Sequence, residues 1–177
     1  MPAKAPVPTA ASVISVRPEF PEDASWIEEL HALAFGPGRY SRAAFRVRER
    51  FPIDSTLSHV AEIDGHPVSS VWMTPISLSG RNGYLLGPLA TDPKFRNKGT
   101  GRTLVAEICR IALKRGAGEY VLLVGDEPYY GPLGFMRTRP GAIVFPGPVD
   151  PDRILVHSPD PTLATTLEGA IAAFGAT

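Results

Sequence analysis

The sequence YLLGPLATDPKFRNKGTGRTLVAEICRIALKR, residues 84–115, places a strand, a turn and a helix in immediate succession. Residues 84–90 are apolar apart from Gly87 and Pro88, which predicts a strand with a kink. Apolar residues then recur with helical spacing through residues 104–112, which predicts an amphipathic helix. The connection between them is a basic turn with two glycines, Arg96-Asn97-Lys98-Gly99-Thr100-Gly101.

This turn has the properties of an anion-binding site. The first backbone N–H groups of a helix have no partner within the helix, and the helix dipole places partial positive charge at the same end. Gly99 and Gly101 lack the Cβ atoms that would keep a bulky anion away from the backbone. Arg96, Lys98 and Arg102 add full positive charges. The turn therefore suits a diphosphate, although an ordinary strand-to-helix turn with solvated charges remains the alternative.

Two other phosphate-binding motifs are excluded by the residues present. A Walker A loop requires Gly-x-x-x-x-Gly-Lys-Ser/Thr, and the sequence contains no such run. A Rossmann fingerprint that began at Gly99 would require glycine or alanine at position 104, where the chain has leucine. The sequence therefore indicates neither a P-loop NTPase nor a dinucleotide-dependent enzyme.

The run LATDPKFRNKGTGRTL, residues 89–104, resembles the central motif of GNAT-type N-acetyltransferases. A second run, YYGPLGF at residues 129–135, is similar to the Tyr-x-x-x-Gly-Phe segment of the same superfamily. The two runs occur in the expected order, which makes the pair more specific than either alone. The amino-acid sequence around the second run most resembles a bacterial subgroup of predicted acetyltransferases whose substrates are mostly unassigned. The resemblance extends over about residues 14–136.

The resemblance implies acetyl-CoA as co-substrate, without a metal. In this superfamily the turn holds the pyrophosphate of the cofactor, and the end of the preceding strand pairs with its pantetheine arm and turns one N–H toward the thioester oxygen. The expected cofactor-binding residues are Leu89, Ala90, Thr91, Arg96, Asn97, Lys98, Gly99, Thr100, Gly101 and Arg102. Tyr130, four residues before Gly134, aligns with the catalytic tyrosine that protonates the departing thiolate. Its neighbour Tyr129 is expected to pack.

The sequence leaves the general base open. Glu62, Asp92 and Glu127 are candidates, but each has the pattern of an ordinary surface carboxylate, and His59 and His66 are expected to be structural or solvent-exposed. No spacing of histidine, cysteine or acidic residues suggests a metal site. No nucleophile elbow is present, so direct transfer is favoured over a covalent acyl-enzyme.

The composition restricts the partners and the compartment. Eighteen basic and eighteen acidic residues cancel without blocks of like charge, which gives no electrostatic case for nucleic acid or an anionic membrane. The single cysteine, Cys109, rules out an internal disulfide and fits a reducing cytoplasm. Residues 1–11 are rich in proline and alanine and are expected to form a flexible tail. Residues 12–177 are expected to form one acyltransferase domain.

The predicted fold is a single α/β (α+β) domain with a mixed central sheet of six or seven strands flanked by helices. Strands are predicted at residues 12–17, 59–63, 68–78, 84–91, 119–125 and 154–157, and helices at 21–34, 42–50, about 102–115, 127–130 and 161–174. A strand, a helical crossover and a second strand predict that the segments before and after the long helix pair in parallel.

The favoured function is an acetyl-CoA-dependent N-acetyltransferase that moves an acetyl group directly to an amine of a small molecule or peptide, acting as a monomer or homodimer. A non-catalytic module that binds acyl-CoA as a sensor or interaction partner is the alternative. Arg39, Tyr40 and Arg42 are expected near the acceptor entrance, where they would suit an acceptor that carries a carboxylate.

Overall fold

A mixed β-sheet forms the centre of the computed structural model, which describes residues 12–176. The predicted tail, residues 1–11, and Thr177 lie outside the described residues. The strands are β1 (Ile14–Pro18), β2 (His59–Ile63), β3 (His66–Leu78), β4 (Arg81–Thr91), β5 (Val121–Val124), β6 (Met136–Arg137), β7 (Ile143–Val144), β8 (Ile154–His157) and β9 (Gly169–Ala173). The helices are α1 (Ala24–Phe35), α2 (Ala43–Arg50), α3 (Thr100–Lys114), α4 (Glu127–Tyr130) and α5 (Leu163–Thr166).

The strand order confirms the predicted mixed sheet. Seven strands follow one another in the order β1-β2-β3-β4-β5-β8-β6, while β9 pairs with the far end of β3 and β7 pairs with β9. Strands β4 and β5 are parallel, as the crossover through α3 predicted. The described sheet has nine strands rather than six or seven because the short strands β7 and β9 add to it.

Alternate residues of the central strands contribute to two hydrophobic clusters, one on each face of the sheet. Leu85 of β4 packs in the same cluster as Val47 of α2, whereas Leu86 packs with Leu104 and Ile108 of α3. This division follows from the two-residue period of a strand. Full burial of such aliphatic side chains is worth roughly 1.5–3 kcal/mol each, so the sheet holds α2 and α3 against opposite faces.

The predicted helix at residues 161–174 is wrong. The chain forms only the short helix α5 and then strand β9, in which Ile171 pairs with Leu78 and Ala173 with Ile76. Strand β2 pairs with β3 only as far as Val71, so this end of β3 has an unpaired edge that β9 covers. Pairing with an open strand edge outweighs the helix propensity of an alanine-rich segment.

Strands β4 and β5 separate where the kink was predicted. Their parallel pairing ends at Leu85 and Leu122. Beyond that point β4 remains paired with β3, with a register irregularity opposite Gly87 and Pro88. The side of β4 that faces β5 is therefore free from Leu86 onward, and a gap opens between the two strands.

Candidate active site

A cavity of about 660 Å³ occupies the gap between β4 and β5. Residues 86–89 of β4 and 123–125 at the end of β5 form its floor, and Tyr129 and Tyr130 of α4 form one side. The C-terminal part of α1, the connection to α2 and α2 itself form the other side. Arg39, Tyr40 and Arg42, which were expected from the sequence near the acceptor entrance, all line the cavity.

The N-terminus of α3 has free backbone donors at the predicted anion turn. Gly99 precedes the helix in the left-handed conformation (φ 84°). Because glycine has no side chain, it does not cap the N–H groups of the first turn. The backbone N–H groups of Thr100, Gly101 and Arg102 donate to no acceptor within residues 12–176. Asn97 also has a positive φ of 63°, so the turn curves tightly around this point. Three unpaired donors at the positive end of a fifteen-residue helix are suited to bind an anion.

Three hydroxyl groups fix the start of α3 against the sheet. The Ser69 hydroxyl donates to Thr100 Oγ1 at 2.9 Å, and its oxygen lies 2.8 Å from Thr91 Oγ1. Ser69 and Thr100 are both buried. Because Thr91 is the last residue of β4, this network holds the anion turn at a set distance from the free edge of that strand.

The basic side chains of the turn remain available for a ligand. Arg96, Lys98 and Arg102 are exposed, and none forms an ion pair in the part of the chain that the structure describes. The Arg102 guanidinium lies over the ring of Tyr129 at 5.2 Å from its centroid. The positive charge of the turn is therefore not neutralised by neighbouring carboxylates.

Gly101 allows α4 to approach the anion turn. A Cβ atom at this position would lie 2.7 Å from the Tyr129 hydroxyl and 3.4 Å from Thr91 Oγ1. The sequence assigned Tyr129 to packing, but its hydroxyl lies at the start of α3 and its ring supports Arg102. The signal for this contact is the glycine itself, because a side chain at this position would force the Tyr129 hydroxyl to move.

Tyr130 lines the cavity from α4. Its ring packs edge-on against Tyr129, with centroids 4.8 Å apart, and against Phe135 at 5.7 Å. Burial raises the pKa of Tyr130 above its ordinary value, with smaller contributions from Tyr129 and Asp126. The phenol therefore keeps its proton at neutral pH. Its hydroxyl makes no hydrogen bond to another described residue, so the proton is free for a ligand.

None of the three candidate bases lines the cavity. Glu62 accepts a hydrogen bond from Arg17 Nε at 2.6 Å, and Glu127 is paired with Arg137 at 2.6 Å. Asp92 caps a short turn by accepting the N–H of Lys94 at 2.9 Å. Each carboxylate thus has a structural partner, and the structure assigns a base role to none of them.

His31 lies in the cavity wall and was missed by sequence reasoning. Its side chain is 4% exposed, its ring meets Trp72 edge-on at 4.8 Å, and Nε2 is buried without a hydrogen-bond partner among the described residues. Burial, reinforced by the positive charge of Arg48, lowers the pKa of His31 to about 4. The available signal was its spacing of four residues from Ile27, which places both on the buried face of α1.

The low pKa of His31 predicts a loss of stability in mild acid. The folded protein keeps this imidazole neutral, whereas the unfolded chain protonates it below about pH 6.5. The free energy of unfolding should therefore fall by roughly 2–3 kcal/mol as the pH drops from about 6.5 to about 4. Urea titrations of wild type and His31→Phe over this range measure the effect. If the free energy of unfolding depends on pH in the same way in both proteins, the lowered pKa of His31 is contradicted.

Residues 25–135 match the acetyltransferase (GNAT) family, and this match covers more than half of the chain. No curated protein matches the chain as a relative.

Solved structures with the same fold support this match. The chain is 26% identical to a GNAT family acetyltransferase from Brucella melitensis in complex with acetyl-CoA, over 90% of this chain and 95% of that one, with a TM-score of 0.62. The Escherichia coli GNAT family N-acetyltransferase YhbS in complex with CoA is 24% identical over 96% and 93% of the two chains, with a TM-score of 0.68. Arabidopsis thaliana Naa50, bound to a bisubstrate analogue, shares the fold at 14% identity over 82% and 98%, with a TM-score of 0.56.

In the part of the chain that the structure describes, no helix combines the length and the apolar character needed to cross a membrane. Residues 12–176 contain no group of three or more histidine, cysteine or acidic side chains placed to hold a metal ion.

Proposed function

The chain belongs to the acetyltransferase (GNAT) family, and we propose that it transfers the acetyl group of acetyl-CoA directly to an amine of a small molecule or peptide. One observation carries the proposal above all: the free N–H groups at the start of α3 lie beside three unpaired cations, next to the cavity that Tyr130 lines. The solved relatives support the donor, since two of them contain CoA or acetyl-CoA.

The anion turn and the free edge of β4 would bind the donor. The N–H groups of Thr100, Gly101 and Arg102 would donate hydrogen bonds to the pyrophosphate oxygens, with Arg96 and Lys98 adding charge. From there the free side of β4 offers backbone groups to the pantetheine arm at residues 89–91. This path leads toward the cavity, where a β4 N–H could stabilise the thioester oxygen as negative charge develops on it.

Tyr130 would complete the reaction as an acid. The amine nitrogen attacks the thioester carbon, the bond from carbon to sulfur breaks, and the thiolate takes a proton from the Tyr130 hydroxyl. The raised pKa of Tyr130 keeps that proton available at neutral pH. The amine loses one proton to solvent and Tyr130 regains its proton from solvent, and we assign no residue to either of these transfers.

A non-catalytic acyl-CoA-binding module is the second candidate. It is favoured because two carboxylates of the cavity are engaged in ion pairs and are not free to act as the general base. Glu28 is paired with Arg39 at 2.9 Å, and Asp126 with Arg153 at 3.1 Å. Such a module would bind acetyl-CoA without releasing CoA in the presence of amines.

Measuring the release of CoA with DTNB over a panel of amines distinguishes the two candidates. We expect at least one amine to accelerate the release, and we expect calorimetry to show tight binding of acetyl-CoA. Acetylpantetheine is the matched control for the anion turn, because it keeps the thioester and lacks the diphosphate; it should bind much more weakly. Equal affinity for both donors would contradict the role of the turn, and binding without release would favour the module.

We also propose that residues 12–177 form this one acyltransferase domain and that the protein acts in a reducing cytoplasm as a monomer or homodimer. Cys109 supports the compartment because it is buried in the core and has no cysteine to pair with. Burial raises the pKa of its thiol to about 12, so it is not a reactive nucleophile.

A further inference from the structure

Four arginines line the cavity, and they differ in whether they have an acidic partner: Arg39, Arg42, Arg48 and Arg153. Arg39 and Arg153 are paired with Glu28 and Asp126, as described above. Asp150, the remaining acidic residue of the lining, accepts the backbone N–H of Asp152 at 3.0 Å and caps the turn before β8. The lining therefore leaves two cations, Arg42 and Arg48, without a counter-charge among the described residues.

Arg48 is the more deeply placed of the two. It is half-buried in the wall of the cavity, whereas Arg42 is exposed and lies over the ring of Phe35 at 5.0 Å. The Arg48 Nη1 atom donates to the carbonyl oxygen of Gly87 at 3.1 Å, which fixes the guanidinium at the kink of β4. The other donors of the guanidinium have no hydrogen-bond acceptor within the described residues.

The environment of Arg48 is unfavourable for an unpaired charge. Burial lowers its pKa to about 10, and its charge in turn disfavours protonation of His31. Arg48 remains positive at neutral pH even so. Moving a cation partly out of water without an opposite charge beside it costs folding free energy. A guanidinium that has the Gly87 carbonyl but no carboxylate as a partner, in the wall of a cavity, is suited to bind an anionic ligand.

The phosphates of the donor are too distant to be that ligand. The turn that would hold the pyrophosphate is fixed to Thr91 through Ser69 and Thr100. Gly87, to which Arg48 is bound, precedes Thr91 by four residues on the same strand. Four residues of extended strand span roughly 13 Å. Arg48 therefore serves the part of the cavity that lies beyond the donor's phosphates.

We propose that the amine acceptor carries an anionic group, a carboxylate or a phosphate, that binds to Arg48 in this cavity, with Arg42 at the mouth as a second contact. This inference rests on the proposed function and specifies its acceptor. The guanidinium binds both anions through paired N–H groups. The acceptor's amine then lies in the cavity that Tyr130 also lines.

Matched pairs of acceptors test the proposal on the wild-type protein. The pairs are γ-aminobutyrate with 4-aminobutanamide, O-phosphoethanolamine with ethanolamine, and a dipeptide with its C-terminal amide. In at least one pair, the kcat/KM of the anionic member should be at least about 30-fold higher than that of the member without the anionic group. Losing one partner of a buried charge pair has an effect of this size. The first two pairs distinguish a carboxylate from a phosphate. Equal rates within all three pairs would overturn the proposal while leaving acetyl transfer intact.

Arg48→Gln and Arg50→Gln form a matched pair of variants on α2. Both remove one positive charge, but Arg50 is exposed and does not line the cavity. Arg48→Gln should abolish the preference for the anionic acceptor mainly through KM, and Arg50→Gln should keep it. A purely structural Arg48 would instead lower the melting temperature. We expect Arg48→Gln to melt no lower than wild type, because the variant no longer buries an unpaired charge.

A binding measurement separates failure of this proposal from failure of acetyl transfer. Calorimetry can follow glutarate and inorganic phosphate as they are titrated into the protein loaded with acetyl-CoA. If no amine is acetylated but one of these anions binds to wild type and not to Arg48→Gln, the proposed anion site at Arg48 is supported and the enzymatic function fails. If neither anion binds to wild type, or if Arg48→Gln binds them equally well, the anion site at Arg48 is overturned, whether or not the protein transfers acetyl groups.

Discussion

Replacing Tyr130 by phenylalanine is expected to lower kcat by about 10²-fold, within the usual range for a positioned acid. The substitution removes the hydroxyl and keeps the ring that packs against Tyr129 and Phe135. Because the hydroxyl makes no hydrogen bond within residues 12–176, its loss leaves no described group without a partner. Folding and acetyl-CoA affinity should therefore change little, and the effect should appear in the turnover rate, measured by CoA release.

Tyr129→Phe is the matched control for Tyr130→Phe. It removes the same atom from the neighbouring residue of α4, and we expect kcat to remain close to the wild-type value, with thermal melts confirming that both variants fold. A slow Tyr129→Phe together with a normal Tyr130→Phe would assign the acid to Tyr129. Full activity in both variants would mean that water or another group protonates the thiolate.

Gly101→Val is expected to weaken acetyl-CoA binding by at least about 10²-fold, which corresponds to roughly 2.7 kcal/mol. The added side chain stands at the first turn of α3, where the free N–H groups would contact the pyrophosphate. It also meets the Tyr129 hydroxyl, which lies 2.7 Å from the position of its Cβ. Calorimetric titration of acetyl-CoA measures the loss.

Two comparisons separate blocked binding from local rearrangement. Gly101→Val in a Tyr129→Phe background removes the hydroxyl that the new Cβ would meet, so this double variant should fold better and still bind acetyl-CoA poorly. Gly38→Val adds the same side chain at a site with no heavy atom within 4 Å of its Cβ, and it should bind normally. Recovery of wild-type affinity in the double variant would show that Tyr129, and not the backbone of the turn, controls the site.

The sequence predicted the centre of the fold because its signals there are local. Apolar periodicity and the glycine turn defined β4 and α3, and the crossover rule then implied the parallel partner β5. The Asp64-Gly65 dipeptide is a comparable local signal, because both residues have positive φ in the turn that joins β2 and β3. The same local signals predicted the anion turn at a helix start and the short helix α4, from which Tyr130 lines the cavity.

The parts that sequence reasoning missed depend on distant segments. Strand β9 forms because β3 has an open edge more than ninety residues earlier, which no local pattern in an alanine-rich segment reveals. His31 and Arg48 were missed for a related reason. A histidine on the apolar face of α1 and an arginine on basic α2 become cavity residues only when both helices pack beside the kink of β4.

The most direct test of acetyl transfer is a reaction with acetyl-CoA that carries an isotopic label in its acetyl group, followed by mass spectrometry of both the amines and the intact protein. We expect the label to appear on an amine and never on the protein, and we expect Tyr130→Phe to slow its appearance. Bound acetyl-CoA that never passes its label to any amine would contradict the enzymatic function, and label found on the protein before the amine would contradict direct transfer.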